Sequence, residues 1–148
     1  MGHWARVLEN GERLAALTGA RLDVVRLFAV FHDACRINEG FDRGHGQRGA
    51  ALARSMRGRD FHIDPAGMAQ LDRACGLHTR RPTDSDITVA TCFDADRLDL
   101  PRVNITVDPD RLATDQARDP VLIAWGRERA IGGLVEPETW KRLGVEAS

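Results

Sequence analysis

Apolar side chains recur three and four positions apart over roughly 3–17, 21–37, 44–57, 65–78 and 84–100, which predicts five amphipathic helices. Breakers fall between them: Thr18-Gly19, the Glu39-Gly40-Phe41-Asp42 loop, Gly58 to Pro65, and Arg81-Pro82. Asp42 and Asp64-Pro65 carry helix-start chemistry. Beyond Leu100 the pattern loosens. Pro101, the run Val103 to Val107 and Asp108-Pro109 predict an extended connector, with shorter helices near 110–117 and 119–130. The tail from Gly132 to Ser148 holds Trp140 and is expected to pack over the bundle. The pattern therefore predicts an all-α fold in one domain, 1–148, with a core over about 3–100 and a less regular C-terminal segment over 101–148.

Polar residues interrupt each apolar stripe. The first stripe is His3, Val7, Leu14 and Leu17, with Asn10 among them. The second is Val25, Phe28 or Ala29, then His32, with Asp33 one turn after Ala29. The third runs His45, Gly49, Leu52, Met56; the fourth Met68, Leu71, Cys75, His78; the fifth Val89, Phe93, Asp96, Leu100. Each helix thus aims an imidazole, a carboxylate or an adjacent pair along its buried face.

One such residue is an ordinary core histidine. Five helices in succession are another matter. An unpaired buried polar group costs about 1–3 kcal/mol and a bare carboxylate more. A domain stable by roughly 5–15 kcal/mol does not carry several uncompensated. Few arginines fall on the stripes, whereas four imidazoles and two carboxylates make a borderline ligand set for a divalent transition metal such as Fe, Mn, Co, Ni or Zn. A metal centre is the less costly explanation.

Composition narrows the rest. A chain of 148 residues suits one compact domain. No run of about 18 uncharged apolar residues exists to cross a membrane. The start, Met1-Gly2-His3-Trp4-Ala5-Arg6, does not resemble a secretory leader, so a soluble cytoplasmic protein is expected. Lys+Arg 21 against Asp+Glu 22 leaves a net charge of −1 and no basic block, which argues against nucleic acid. All the basic residues but Lys141 are arginine. Cys35, Cys75 and Cys92 form no CxxC and read as packed thiols.

The order His3 … His32-Asp33 … His45 … His78 … Asp96 resembles the HD-domain metal-dependent phosphohydrolase superfamily, in its H…HD…H…H…D subset. Phe28-Ala29-Val30-Phe31-His32-Asp33-Ala34-Cys35-Arg36 is similar to that family's apolar helix ending in His-Asp, with a basic residue three positions on. Ala95-Asp96-Arg97-Leu98 resembles the segment carrying its last ligand. His45-Gly-Gln-Arg-Gly49-Ala50 and His78-Thr79 resemble the two further ligand positions, an arrangement shared with symmetrical dinucleoside-tetraphosphate hydrolases. The resemblance covers about residues 3–100 and leaves the tail unmatched.

The resemblance implies an HD-like helical bundle holding one or two divalent ions and hydrolysing a nucleotide or other small phosphate ester with a metal-activated hydroxide. His3, His32, Asp33 and Asp96 would hold one ion, and Asp33 would bridge to a second held by His45 and His78. Arg36, with Arg48, Arg80 and Arg97, is a candidate to grip phosphate oxygens. Asp94 lies about 200° around the helix from Asp96 and is expected to orient a histidine or arginine of the site. Asp99 is expected to pair with an arginine, Thr79 and Asn38 to offer hydrogen bonds near the site, and His62 to lie off it; Trp4, Trp125 and Trp140 offer stacking faces for a nucleobase, with core packing their usual fate. Two alternatives stay open: a di-iron oxygenase of the same fold, and a non-catalytic metal-containing sensing domain.

Overall fold

The stripes close against one another in the computed structural model, which describes residues 2–144. Five helices form the bundle: α1 (Gly2–Thr18), α2 (Leu22–Phe31), α3 (His45–Met56), α4 (Pro65–Leu77) and α5 (Ile87–Arg97). After short 3₁₀ turns at Leu100–Val103, Pro109–Arg111 and Gln116–Arg118, the chain forms α6 (Pro120–Gly132) and α7 (Pro137–Arg142). The fold is all-helical, and no strand occurs among the described residues. No described helix is long and apolar enough to cross a membrane.

Asp64 and Asp86 start their helices by accepting otherwise orphaned amides, from Gly67 in α4 and from Thr88 and Val89 in α5. The core is built from the predicted faces: Val7, Val24, Val25, Phe28, Leu71, Val89 and Phe93 are fully buried. Asn10, the polar interruption of the first stripe, spends its amide on the Ala95 carbonyl and so ties α1 to α5. A second cluster joins Leu14 and Leu98 to Val107, Leu112, Ala117 and Leu122, seating the C-terminal segment on α1 and α5. At the far end Thr18 meets Thr91, and the Arg21 amide meets Thr88. The start of α5 therefore sits with the end of α1 and the start of α2. The segment 78–86 runs the length of the bundle, so that α4 and α5 both end where α1 begins.

Four expectations are corrected. Leu17 is 58% exposed: the last turn of α1 packs through Ala15 and Thr18 instead. The second helix stops at Phe31, not near residue 37. Beyond it Ala34 and Arg36 donate three residues back, to Phe31 and Asp33, and the Cys35 carbonyl is taken by Arg48, so the path tightens. Residues 110–117 form no α-helix, because Asp94 captures the Ala113 and Thr114 amides that such a helix needs as donors. The connector is also less extended than predicted, since Leu100–Val103 turns as a 3₁₀ helix. The tail does dock: α7 lies on α1 through Arg142 and Glu12, while the last predicted residues, 145–148, fall outside the described residues.

Candidate metal centre

All six predicted residues meet at one end of the bundle, each delivered by a helix terminus. His3 lies in the first turn of α1 and His45 opens α3; His32 and His78 cap α2 and α4, with Asp33 one residue on; Asp96 lies in the last turn of α5. The approach of α3 depends on two glycines. A Cβ at Gly46 would overlap the Cys75 carbonyl oxygen, and one at Gly49 the Phe31 carbonyl oxygen.

Hydrogen bonding determines which ring nitrogen faces inward. His32, His45 and His78 point Nδ1 at the carbonyls of Phe28 (3.0 Å), Asp42 (2.6 Å) and Cys75 (2.8 Å). A carbonyl only accepts, so each Nδ1 carries the proton and each Nε2 presents a lone pair. His3 Nδ1 does the same toward Asp99 Oδ2 at 2.7 Å. The four Nε2 atoms then face one another in two pairs, His3 with His32 at 3.1 Å and His45 with His78 at 3.2 Å. Two bare lone pairs at that separation repel. A proton on one ring of each pair, or a metal ion held by both, relieves that repulsion.

Two trios of atoms result, each clustered within 4.8 Å: His3, His32 and Asp96, and Asp33, His45 and His78. Asp33 belongs to both by its geometry. Its Oδ2 lies 3.6 Å from His3 Nε2 and 3.8 Å from His32 Nε2, while its Oδ1 lies 3.2 Å from His45 Nε2 and 3.8 Å from His78 Nε2. Asp96 Oδ1 completes the first trio, 3.3 Å from His3 and 3.8 Å from His32. The set fits a divalent transition ion in each trio: neutral imidazole nitrogens with a carboxylate oxygen, every ring held by an outer acceptor.

Electrostatics point the same way. Burial opposes the charges of Asp33 and Asp96, yet the surrounding histidines hold both carboxyls well below the ordinary range. His32, sealed from solvent, is pushed down to about 4 by burial. His3 is pulled up against its burial by Asp96 and Asp99, and His78 by Asp33 and Asp96. One histidine of each facing pair thus favours a cation at its Nε2, and protons compete with metal for that place.

Asp99 was read from sequence only as a partner for an arginine. It is fully buried, accepts Arg6 Nε at 2.6 Å, and also accepts His3 Nδ1. Arg6 is itself buried, the stripe arginine that the pattern did not credit, and it is spent on Asp99 rather than on the cage. The signal for Asp99 is its place one turn after Asp96 on the same helical path. Asp99→Asn puts an amide donor against two donors, so metal affinity is expected to fall about 10- to 100-fold, measured by competition with a chelator.

The predicted arginines separate. Arg36 Nη1 lies 3.4 Å from Asp33 Oδ1, with its other donors on the Asn38 and Gly40 carbonyls of the rim loop. Arg48 braces the Cys35 carbonyl and Asp42, and Arg97 is consumed by the carbonyls of Arg81, Pro82 and Arg111. Among the described residues each keeps one guanidinium nitrogen without a partner, Nη1 in Arg48 and Nε in Arg97. Arg80 binds the Arg43 carbonyl, and both residues line a cleft with Arg36 and His45. Asp94 meets the arginine half of its expectation and not the histidine half. It touches no histidine; its carboxylate takes the Ala113 and Thr114 amides and the Thr114 hydroxyl, anchoring the C-terminal segment, and it meets an arginine only at Arg97, 3.5 Å away. Burial pushes its pKa up.

Thr79 lines the mouth, Asn38 shapes the rim turn through the Gly40 amide, and His62 sits in a separate cleft with Arg54 and Arg57. Trp125 is packed between Arg13 and Arg129, while Trp4 lines the main cleft. No family model, curated protein or solved structure matches the chain, so the centre is read from its own geometry.

Proposed function

We propose that this is a metal-dependent phosphohydrolase of the HD type, acting on a nucleotide or other small phosphate ester. The observation that carries the reading is the Asp33 carboxylate, whose two oxygens serve two separate histidine pairs. His3, His32 and Asp96 with Asp33 Oδ2 would hold one divalent ion, and His45 and His78 with Asp33 Oδ1 a second. When bound, such ions supply Lewis acidity toward water and toward phosphoryl oxygens. The chain supplies the frame. Asp99 aims His3, three backbone carbonyls aim the other imidazoles, and Arg36 holds the rim loop while keeping positive charge beside Asp33. A cleft of about 750 Å³ opens over His3, Asp33, His78 and Asp96, a size suited to a small ligand. Arg43 and Arg80 line the neighbouring cleft, whose positive field draws an anion toward the cage.

Metal analysis paired with a substrate screen tests the proposal. Wild-type protein is expected to carry two ions per chain, and His45→Ala and His78→Ala one each. Unchanged content in both variants would mean a single ion. Manganese-loaded protein is expected to release phosphate anaerobically from at least one member of a phosphomonoester, phosphodiester and pyrophosphate panel. Inertness toward the panel, with dioxygen uptake by the iron form, would replace the proposal with an oxygenase.

A further inference from the structure

The main cleft has a wall that the hydrolytic machinery does not use. After α5 the chain turns through Leu100–Val103, and Asn104 closes the turn in the left-handed region at φ 61°. Asparagine adopts that conformation more readily than other side chains. The Asn104 amide donates to Pro101 (3.1 Å) and the Ile105 amide to Leu100 (3.3 Å), with Pro101 buried beneath. The turn is therefore a preformed surface. Val103 and Ile105 are 52% and 49% exposed, and they line the same cleft as Leu100, Trp4 and the cage residues His3, Asp33 and Asp96. Isolated exposed aliphatics mean little, but a contiguous apolar lining beside a charged centre is the anatomy of a small-molecule site.

The turn also carries Arg102. Its guanidinium makes one long hydrogen bond, 3.4 Å to the Asp99 carbonyl, and otherwise faces Asp99 Oδ2 at 3.7 Å. Arg36, Arg48 and Arg97 each engage two or three of their guanidinium nitrogens; Arg102 engages only Nη1, on the same cleft as Arg36.

Resting on the phosphohydrolase reading, we infer that the 100–105 turn is the specificity wall of the site. Arg102 takes an anionic oxygen of the ester, and Trp4, Leu100, Val103 and Ile105 take the organic group attached to it. The substrate class is then a phosphate ester with a flat, apolar organic group, not a small hydrophilic one.

Two phosphonates, whose carbon–phosphorus bond is not hydrolysed, separate this inference from activity. Calorimetry on manganese-loaded protein is expected to find phenylphosphonate bound about tenfold more tightly than methylphosphonate. At equal manganese content, Val103→Ser with Ile105→Ser should erase that preference and leave methylphosphonate unchanged. Arg102→Gln should weaken both ligands about tenfold. Equal affinity for the two ligands in the wild type, or a preference surviving the double substitution, would overturn the wall and leave the hydrolase reading standing. Binding of neither ligand to the loaded protein would overturn both.

Discussion

Replacing Asp33 with alanine is expected to empty both halves of the cage at once. Each Asp33 oxygen faces its own pair of imidazole nitrogens, so one truncation removes the anionic donor common to His3 and His32 and to His45 and His78. Metal content should fall from two ions to less than one per chain. Hydrolysis should drop about a thousandfold or more, the scale of losing a group that stabilises the transition state. Stability offers an independent readout. A ligand bound only by the folded state adds about 2.7 kcal/mol at a concentration one hundred times its Kd. Manganese should therefore raise the Tm of wild type clearly and that of Asp33→Ala hardly at all. Stoichiometric metal retained by the variant would refute the bridging arrangement.

The second large effect comes from a residue with no side chain. Gly49→Ala puts a methyl group into the Phe31 carbonyl oxygen, with the His32 carbonyl next to it. Backbone at a helix end cannot rotate aside as a flexible side chain can, so α3 must shift away from α2. Overpacking of this kind costs about 3 kcal/mol, read as a lower urea midpoint at unchanged m-value. The consequence for the centre is specific. His45 lies one turn before Gly49, so the shift carries its Nε2 away from Asp33 Oδ1 and should reduce metal content toward one ion. Gly76→Ala is the control. A Cβ there meets nothing within 4 Å, and alanine in the last turn of α4 should leave stability unchanged or raise it by less than about 1 kcal/mol. If both substitutions behaved alike, close backbone approach would not be what Gly49 provides.

Much of the site was legible because helical periodicity reports direction. His3, His32, His45, His78 and Asp96 each sat on an apolar stripe, and a polar group on a buried face has few uses besides pairing or ligation. The misreadings share a cause. The angle around α5 sets Asp94 on another face from Asp96, but that its carboxylate serves the amides of residues 113 and 114 is something no local pattern announces. Nor does any local pattern announce that Arg48 and Arg97 bond the carbonyls of Cys35, Arg81, Pro82 and Arg111. Asp99 was read as an ordinary ion-pair partner, yet it orients His3 from the far side of the ring.

What the amino-acid order determined alone was therefore the five bundle helices, most of their buried faces and the six polar groups aimed inward, because 3.6-residue spacing and desolvation cost act within a single helix. The tertiary structure decided the rest: that four Nε2 atoms form two facing pairs, that Asp33 divides its oxygens between them, and which carbonyls the arginines bond. Those are distances between residues remote in sequence. They follow from how closely helices pack, down to a glycine pressed on a carbonyl, and no spacing along one helix encodes them.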